Sequence, residues 1–271
     1  MTLISKASST RKESVMRGLN TKRILVAGSA SGIGAATAIR LGQEGAHLVL
    51  GDINLDGAES TAQAIRDAGG TATAARFDLA DAASVEQLVQ SAVDSLGGLD
   101  GVANVAADLS PATLGNDVEV TDMDVAIWEQ TLRANLIGFA LIAKYAVPHL
   151  AEAGGGSIVN TSSGASWVGE KTRPAYAASK AGINALSRHL AATYGHQGIR
   201  ANSVSPGAVL SETAIATMSD DFKAAMLAGV TLPRLGRPED LAQTIVFLLS
   251  DDADWVSGQV WSVNGGGGFR D

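Results

Sequence analysis

The chain has 271 residues, no cysteine and a formal charge of −8, with 46% apolar residues, 4% aromatics and 31 glycines. The acidic balance excludes a general phosphate-tracking nucleic-acid binder, which needs surplus Lys and Arg, and the missing cysteines exclude a disulfide framework and thiolate chemistry. Nothing therefore calls for an oxidising compartment, and a cytoplasmic location is the default expectation.

Residues 1–20 carry Lys6, Arg11, Lys12 and Arg17 with Glu13 as their only acid, and they lack the apolar centre of a secretory signal. A solvated, flexible arm is expected there; a transit peptide and a true start at Met16 also fit. No uninterrupted apolar run of about eighteen residues is present, so no membrane span is expected. Residues 23–27 then form a short apolar run that stops at Gly28, and a helical pattern follows from Gly34 through Leu41. The order repeats: strand 46–50, helix 55–68, strand 72–77, helix 84–96, strand 101–106. A long helix is predicted over 123–152, with Pro148 a candidate kink near its end, and a strand follows over 157–161. Pro174 opens a helix running to Tyr194, residues 199–204 form the sixth strand, and a helix over 238–249 precedes a last strand over 260–263. The strands read as continuous apolar runs rather than alternating ones, which is how parallel strands covered on both faces read. The predicted fold is α/β: a doubly wound, Rossmann-like, mostly parallel sheet of seven strands with helices on both faces. No change of composition divides 23–263, so residues 21–271 are expected to form one domain.

Three groups of residues carry chemistry. In AGSASGIG, Ala27 to Gly34, the glycines Gly28, Gly32 and Gly34 lie between the first strand and its helix, where backbone N–H groups at a helix start can meet a pyrophosphate. Alone, the pattern fits a tight turn equally well. Asp52 ends the second strand eighteen residues after Gly34, where a carboxylate can accept from both ribose hydroxyls of an adenosine and repel a 2′-phosphate. Neither Ser31 nor Ile53 is basic, so NAD is favoured over NADP; Asp52 can also cap the following helix. Tyr176 and Lys180, four apart on the helix that Pro174 opens, share one face, and an ammonium there can lower the phenol pKa toward working pH. That spacing also arises on helix surfaces with no function. Ser163, just after the fifth strand, stands at the carboxyl end of the sheet, where doubly wound folds bind ligands; a turn cap explains it as well.

Together these residues resemble the short-chain dehydrogenase/reductases, in the single-domain branch with a TGxxxGxG-type motif and YxxxK. From about Lys22 to Gly266 the landmarks come in order: AGSASGIG, Asp52, FDL at 77–79, ANVAA at 103–107, and RANLIG with Asn135. NTSSG with Ser163, YAASK with Tyr176 and Lys180, NSVSPG ending at Gly207 and RLGRPEDLA at 234–242 follow. The resemblance implies that Tyr176 is the general acid and base and that Lys180 lowers its pKa and holds the nicotinamide ribose. It further implies that Ser163 orients the reacting oxygen and that Asn135 holds a water that links Lys180 to solvent. It implies a cofactor site formed by Gly28, Ser31, Gly32, Ile33 and Gly34, by Asp52 and Ile53, by Asp78 and Leu79 beside the adenine, and by Asn104 and Ala106. Pro206, Val209 and Ser211 would complete it at the carboxamide, with Tyr176 and Lys180 at the ribose. A homotetramer is implied too.

The chain departs from the family pattern at three points. Ala27 replaces the usual Thr, with a small stability cost expected; Asn104-Val105-Ala106-Ala107 stands for NNAG, so the backbone there is expected to differ; and Ser211 stands for Thr, keeping the hydroxyl. Residues 208–233 resemble the family's variable lid, and Trp167, Arg173, Met218 and Met226 are candidate pocket residues that ordinary packing also explains. His47, His149, His189 and His196 show no metal-ligand spacing, so no metal is expected. The expected activity is NAD-linked interconversion of a secondary alcohol and a ketone on a small molecule, without nucleic acid or membrane. A non-catalytic NAD-sensing protein and an enoyl reductase, dehydratase or epimerase on the same fold are the alternatives.

Overall fold

A computed structural model describes residues 16–211 and 218–269. Seven parallel strands form one sheet in the order β3-β2-β1-β4-β5-β6-β7. They are β1 (Arg23–Ala27), β2 (His47–Asp52), β3 (Thr71–Arg76), β4 (Gly101–Asn104), β5 (Gly156–Thr161), β6 (Ile199–Pro206) and β7 (Val260–Val263). The predicted α/β sheet is present with all seven strands, displaced by no more than two residues at either end. Connections between parallel strands must cross over, and here helices provide the crossovers. On one face lie α1 (Gly32–Gln43), α2 (Leu55–Asp67) and α8 (Pro238–Leu249); on the other lie α3 (Ala82–Leu96), α5 (Gly138–Glu152) and α6 (Pro174–Tyr194).

Each helix buries one stripe against the sheet. In α1 the buried residues are Gly34, Thr37, Ala38 and Leu41, and in α3 Val85, Leu88, Val89 and Ala92, the three- and four-residue steps of a helix with one apolar face. The strand centres Leu25, Val49, Val102 and Ile158, at most 2% exposed, fill the core on the α3, α5 and α6 side, and their neighbours Ile24, Leu48, Ala103 and Val159 fill a second core on the α1, α2 and α8 side. Register brings the strand ends together: Ala27 pairs with Gly51 and Asn104, Asn104 with Asn160, and Thr161 with Val204. The carboxyl ends of five adjacent strands thus share a rim, and every sequence-predicted site residue lies along it or just beyond it.

The helix predicted over 123–152 is divided. α4 (Val125–Leu132), capped by Asp124 through a 2.9 Å bond from the Ala126 N–H, runs into a π-turn over Arg133–Ile137 before α5. The break falls at Asn135 and not at Pro148, which lies inside α5. Asn135 is fully buried; its Oδ1 accepts from the Asp108 N–H at 2.7 Å and its Nδ2 donates to the Asp108 carbonyl at 3.2 Å. The side chain grips the loop after β4, and the extra residue of the π-turn is located there. The stretch Val125–Glu152 is apolar and long enough to pass for a membrane span, but it supplies Phe139, Ile142, Ala146 and Leu150 to the core. One helix was not expected: α7 (Asp220–Ala228), begun by Ser219, whose hydroxyl accepts the Phe222 N–H.

The arm expected over 1–20 is shorter than its composition suggested. Leu19 is fully buried, the Met16 N–H donates to Glu44 at 2.8 Å, and Arg17 pairs with Asp252. The packed domain therefore reaches back at least to Met16, because one leucine at the tip of a polar segment is enough to anchor it. Residues 1–15 lie outside the described residues.

Candidate active site

The glycine turn comes first along the rim. At Gly28 (φ +93°) a side chain would run into the Ala106 backbone, and at Gly34 into the Gly28 carbonyl, so these two must remain glycine. Gly32 (φ +54°) is different: a β-carbon there would approach only Ser211, at 3.8 Å, leaving its outer side open. Ser31 is the N-cap of α1 but makes no side-chain cap bond, so the first-turn N–H groups of Gly32, Ile33 and Gly34 have no cap from that hydroxyl. Asp52, partly exposed at the end of β2, accepts from the Ala30 N–H at 2.9 Å and the Asn54 N–H at 3.0 Å. It braces the turn and retains lone pairs toward the rim. The cap of α2 is Asn54, not Asp52, while Ile53 beside it is 59% exposed.

Farther along, Asp78 accepts from the Ala80 N–H at 2.8 Å, and Leu79 packs beneath Gly138. Asn104 is fully buried, donates to Asn160 at 2.8 Å, and has an Oδ1 with no partner. Ala27 needs no hydroxyl to tie the turn to β4, since its carbonyl accepts from both the Val105 and Ala106 N–H groups at 2.8 Å. Val105, Ala106 and Ala107 all keep negative φ, so the altered motif stores no backbone strain. Pro206 ends β6, Val209 bridges to Gly236, and Ser211 lies above Gly32. A glycine cradle that excludes side chains, an open helix start, a carboxylate at the second strand's end and a buried orphan amide oxygen together fit an adenine dinucleotide. The rest of the lid before Met218 lies outside the described residues.

Ser163, Tyr176 and Lys180 converge where β5 meets α6. Ser163 follows β5 in extended conformation and accepts from the Ala165 N–H at 3.2 Å, so it does serve as a turn cap. Its hydroxyl also interacts with the Tyr176 phenol. Lys180 is 2% exposed; its ammonium donates to the Thr161 carbonyl at 3.0 Å and lies 5.7 Å from the Tyr176 ring centre. The sequence expectation that Lys180 makes Tyr176 acidic needs correction. The phenol pKa is raised, first by burial, with Ser163 and the Arg173 charge opposing and Glu170 adding to the rise. Lys180 is itself lowered to about 7 by burial. Both groups stand in surroundings that penalise their charged forms, and one carbonyl does not replace the water lost by an ammonium.

Sequence reasoning missed Asp117. It is 3% exposed, and its carboxylate accepts from the Ala175 N–H at 3.1 Å and the Tyr176 N–H at 2.8 Å, while its carbonyl accepts from the Arg173 N–H at 2.8 Å. It caps α6 from 57 residues upstream of its Pro174 start, so no local pattern marks it. Arg173, the formal N-cap, makes no side-chain cap bond and sits at φ +65°. Its guanidinium pairs with Glu170 at 2.7 Å and lies 5.9 Å from the Tyr176 ring centre. Trp167 packs against Gly268, and Met218 and Met226 are partly buried. Among the described residues no group of three or more His, Asp or Glu is spaced to hold a metal.

The family model described as Enoyl-(Acyl carrier protein) reductase matches residues 27–267. The chain is 40% identical to a cis-4-hydroxycyclohexanecarboxylate dehydrogenase from Sinomonas cyclohexanicum, over 89% of this chain and 94% of the relative. It is 38% identical to a probable short-chain type dehydrogenase/reductase from Bradyrhizobium diazoefficiens, over 90% and 86%. Among solved structures, a 7α-hydroxysteroid dehydrogenase complexed with NADH and 7-oxo glycochenodeoxycholic acid superposes with a TM-score of 0.86 at 32% identity, covering 93% of this chain and 96% of that one.

Proposed function

The chain belongs to the short-chain dehydrogenase/reductase family, and from that premise we propose that it interconverts a secondary alcohol and a ketone with NAD(H), Tyr176 acting as general acid and base. The observation that carries this reading is the convergence of Ser163, Tyr176 and Lys180 on the rim that also holds the glycine turn and Asp52. One relative is named a cis-4-hydroxycyclohexanecarboxylate dehydrogenase, and the superposed 7α-hydroxysteroid dehydrogenase holds NADH. Gly28, Ser31, Gly32, Ile33 and Gly34 would receive the pyrophosphate, and Asp52 with Ile53 the adenosine ribose. Asp78, Leu79, Asn104 and Ala106 would hold the adenine side, and Pro206, Val209 and Ser211 the carboxamide.

The bound cofactor supplies a hydride acceptor or donor. In oxidation Tyr176 would first release its own proton to solvent, and its phenolate oxygen would then take the hydroxyl proton while the carbon-bound hydrogen left as hydride; in reduction Tyr176 would give its proton to the carbonyl oxygen and regain one from solvent. Ser163 holds that oxygen by a hydrogen bond. The raised phenol pKa keeps Tyr176 protonated at neutral pH, ready to act as acid. Further acceptors would favour the charged form of Lys180, and the ribose hydroxyls of a bound cofactor would provide them. Asn135 fixes the loop after β4 through Asp108 and would hold a water that links Lys180 to solvent. A cytoplasmic homotetramer is the proposed state, with light scattering as the deciding measurement.

Turnover of NAD+ and NADH across cyclic and acyclic secondary alcohols and ketones, together with an enoyl thioester, tests the assignment. Tyr176→Phe is expected to lose about a hundredfold to ten-thousandfold in kcat. Undiminished activity in that variant sinks the mechanism, turnover of the enoyl thioester alone moves the enzyme to enoyl reduction, and cofactor binding without turnover favours a sensing role.

A further inference from the structure

We propose that Arg173 is a specificity residue that binds a carboxylate on the substrate, remote from the carbon that reacts, so that the preferred substrates are secondary hydroxy acids and their keto acids. The inference rests on the functional reading above and adds a substrate class to it. Its starting point is a backbone outlier. Arg173 has φ +65° and is one of two described residues other than glycine with positive φ. A long side chain gains nothing from that conformation, where glycine or asparagine would sit at lower cost. The conformation is over-determined by its neighbours: the Arg173 N–H is held by the Asp117 carbonyl and the Arg173 carbonyl accepts from Ala177 at 3.0 Å. Such outliers persist where the side chain's direction matters.

That direction is toward the site. Three residues before Tyr176, the guanidinium stands 5.9 Å from the ring centre, and its side chain is 41% exposed. It therefore presents N–H donors to solvent beside the Tyr176 ring. Its ion-pair partner, Glu170, is three residues away in the loop after Ser163 and is 19% exposed at the side chain. The Arg173 charge favours the ionised Tyr176 phenol and the Glu170 charge opposes it, in keeping with the 5.9 Å separation of guanidinium and ring. A guanidinium presents a planar fork of donors, and one carboxylate does not use all five of its N–H groups. Glu170 pairs with the guanidinium at 2.7 Å, although its Oε2 makes no hydrogen bond, and one carboxylate leaves donors for a second arriving with the substrate. A neutral substrate makes no such contact, so the site discriminates by charge at a distance from the chemistry.

The test pairs substrates that differ only in this group: 4-hydroxycyclohexanecarboxylate and its primary amide, and the corresponding ketones, with NAD+ or NADH. Wild-type enzyme is expected to favour the acid in kcat/KM by about tenfold to a hundredfold, the range a charge-assisted hydrogen bond provides. Arg173→Gln is expected to bring acid and amide to equal kcat/KM, and Arg173→Lys to restore part of the preference. Glu170→Gln, which withdraws the competing carboxylate, is expected to increase the preference. A calorimetric titration of the NAD+-loaded protein with cyclohexanecarboxylate and with its amide reads the same discrimination without turnover. Equal affinity for acid and amide, or a preference that survives in Arg173→Gln, overturns the proposal while alcohol oxidation stands. Discrimination by binding with no turnover of any alcohol or ketone keeps the carboxylate site and overturns the assigned reaction instead.

Discussion

Tyr176 and Lys180 show what a four-residue spacing does and does not determine. The helix places both on one face, as the spacing requires, yet the ammonium points at the Thr161 carbonyl and the phenol is raised rather than lowered. The Lys180 pKa of about 7 has a consequence for stability. An unfolded chain holds this lysine's proton up to its ordinary value of 10.5, so between about 7 and 10.5 the unfolded state binds more protons and stability rises with pH. Below 7 both states are charged and the full cost of burying the ammonium is felt. Lys180→Met is therefore expected to abolish turnover and to stabilise the fold at neutral pH by on the order of 1–4 kcal/mol, a gain that shrinks toward pH 10. Urea titrations at pH 7 and pH 9.5 measure it, and a destabilised Lys180→Met protein at pH 7 contradicts the account.

At the scale of elements, the catalytic helix α6 depends on a residue outside it. Its first N–H groups are buried, Pro174 supplies no donor, and Arg173 makes no side-chain cap bond, so the Asp117 carboxylate satisfies Ala175 and Tyr176. Asp117→Ala leaves two buried donors unpaired and is expected to cost about 2 kcal/mol in stability. The same change frees the turn that carries Tyr176, and kcat is expected to fall about tenfold to a hundredfold with little change in KM for the cofactor. Asp117→Asn keeps one acceptor and should recover most of the stability. Denaturation midpoints and steady-state kinetics on both variants separate the two effects; an unchanged kcat in Asp117→Ala removes the positioning role. Helix α7 and the π-turn belong to this scale too. α7 carries a Ser cap and two acids in its first turn, a signal legible in sequence, whereas the π-turn arises from the Asn135 grip on Asp108, which only the folded chain creates.

For the whole molecule, the boundary of the domain is set by packing and not by composition. Met16 to Asn20 look like the end of a polar arm, but Leu19 fills the core beside Leu41 and Leu248, and Lys22 pairs with Asp251 across the chain's two ends. Leu19→Ala is expected to destabilise the protein by about 2–5 kcal/mol, the range for truncating a buried leucine. A calorimetric melt of the variant checks this, and an unchanged melting temperature contradicts the anchoring role of Leu19.

The sequence by itself determined the parallel sheet, its seven strands and the cradle. Apolar runs report two-sided burial directly, and the glycines at 28 and 34 stand where the backbone admits nothing larger. Asp52, Ser163, Tyr176 and Lys180 were legible for the same reason: their positions follow from strand ends and from one helix. Only the tertiary structure decided which way charges act on one another and which distant groups hold the site. Asp117 reaches α6 across 57 residues, Arg173 is turned by that contact, and burial reverses the expected effect on Tyr176. Local periodicity encodes which face a residue occupies; desolvation and long-range hydrogen bonds depend on what the remaining chain packs around it.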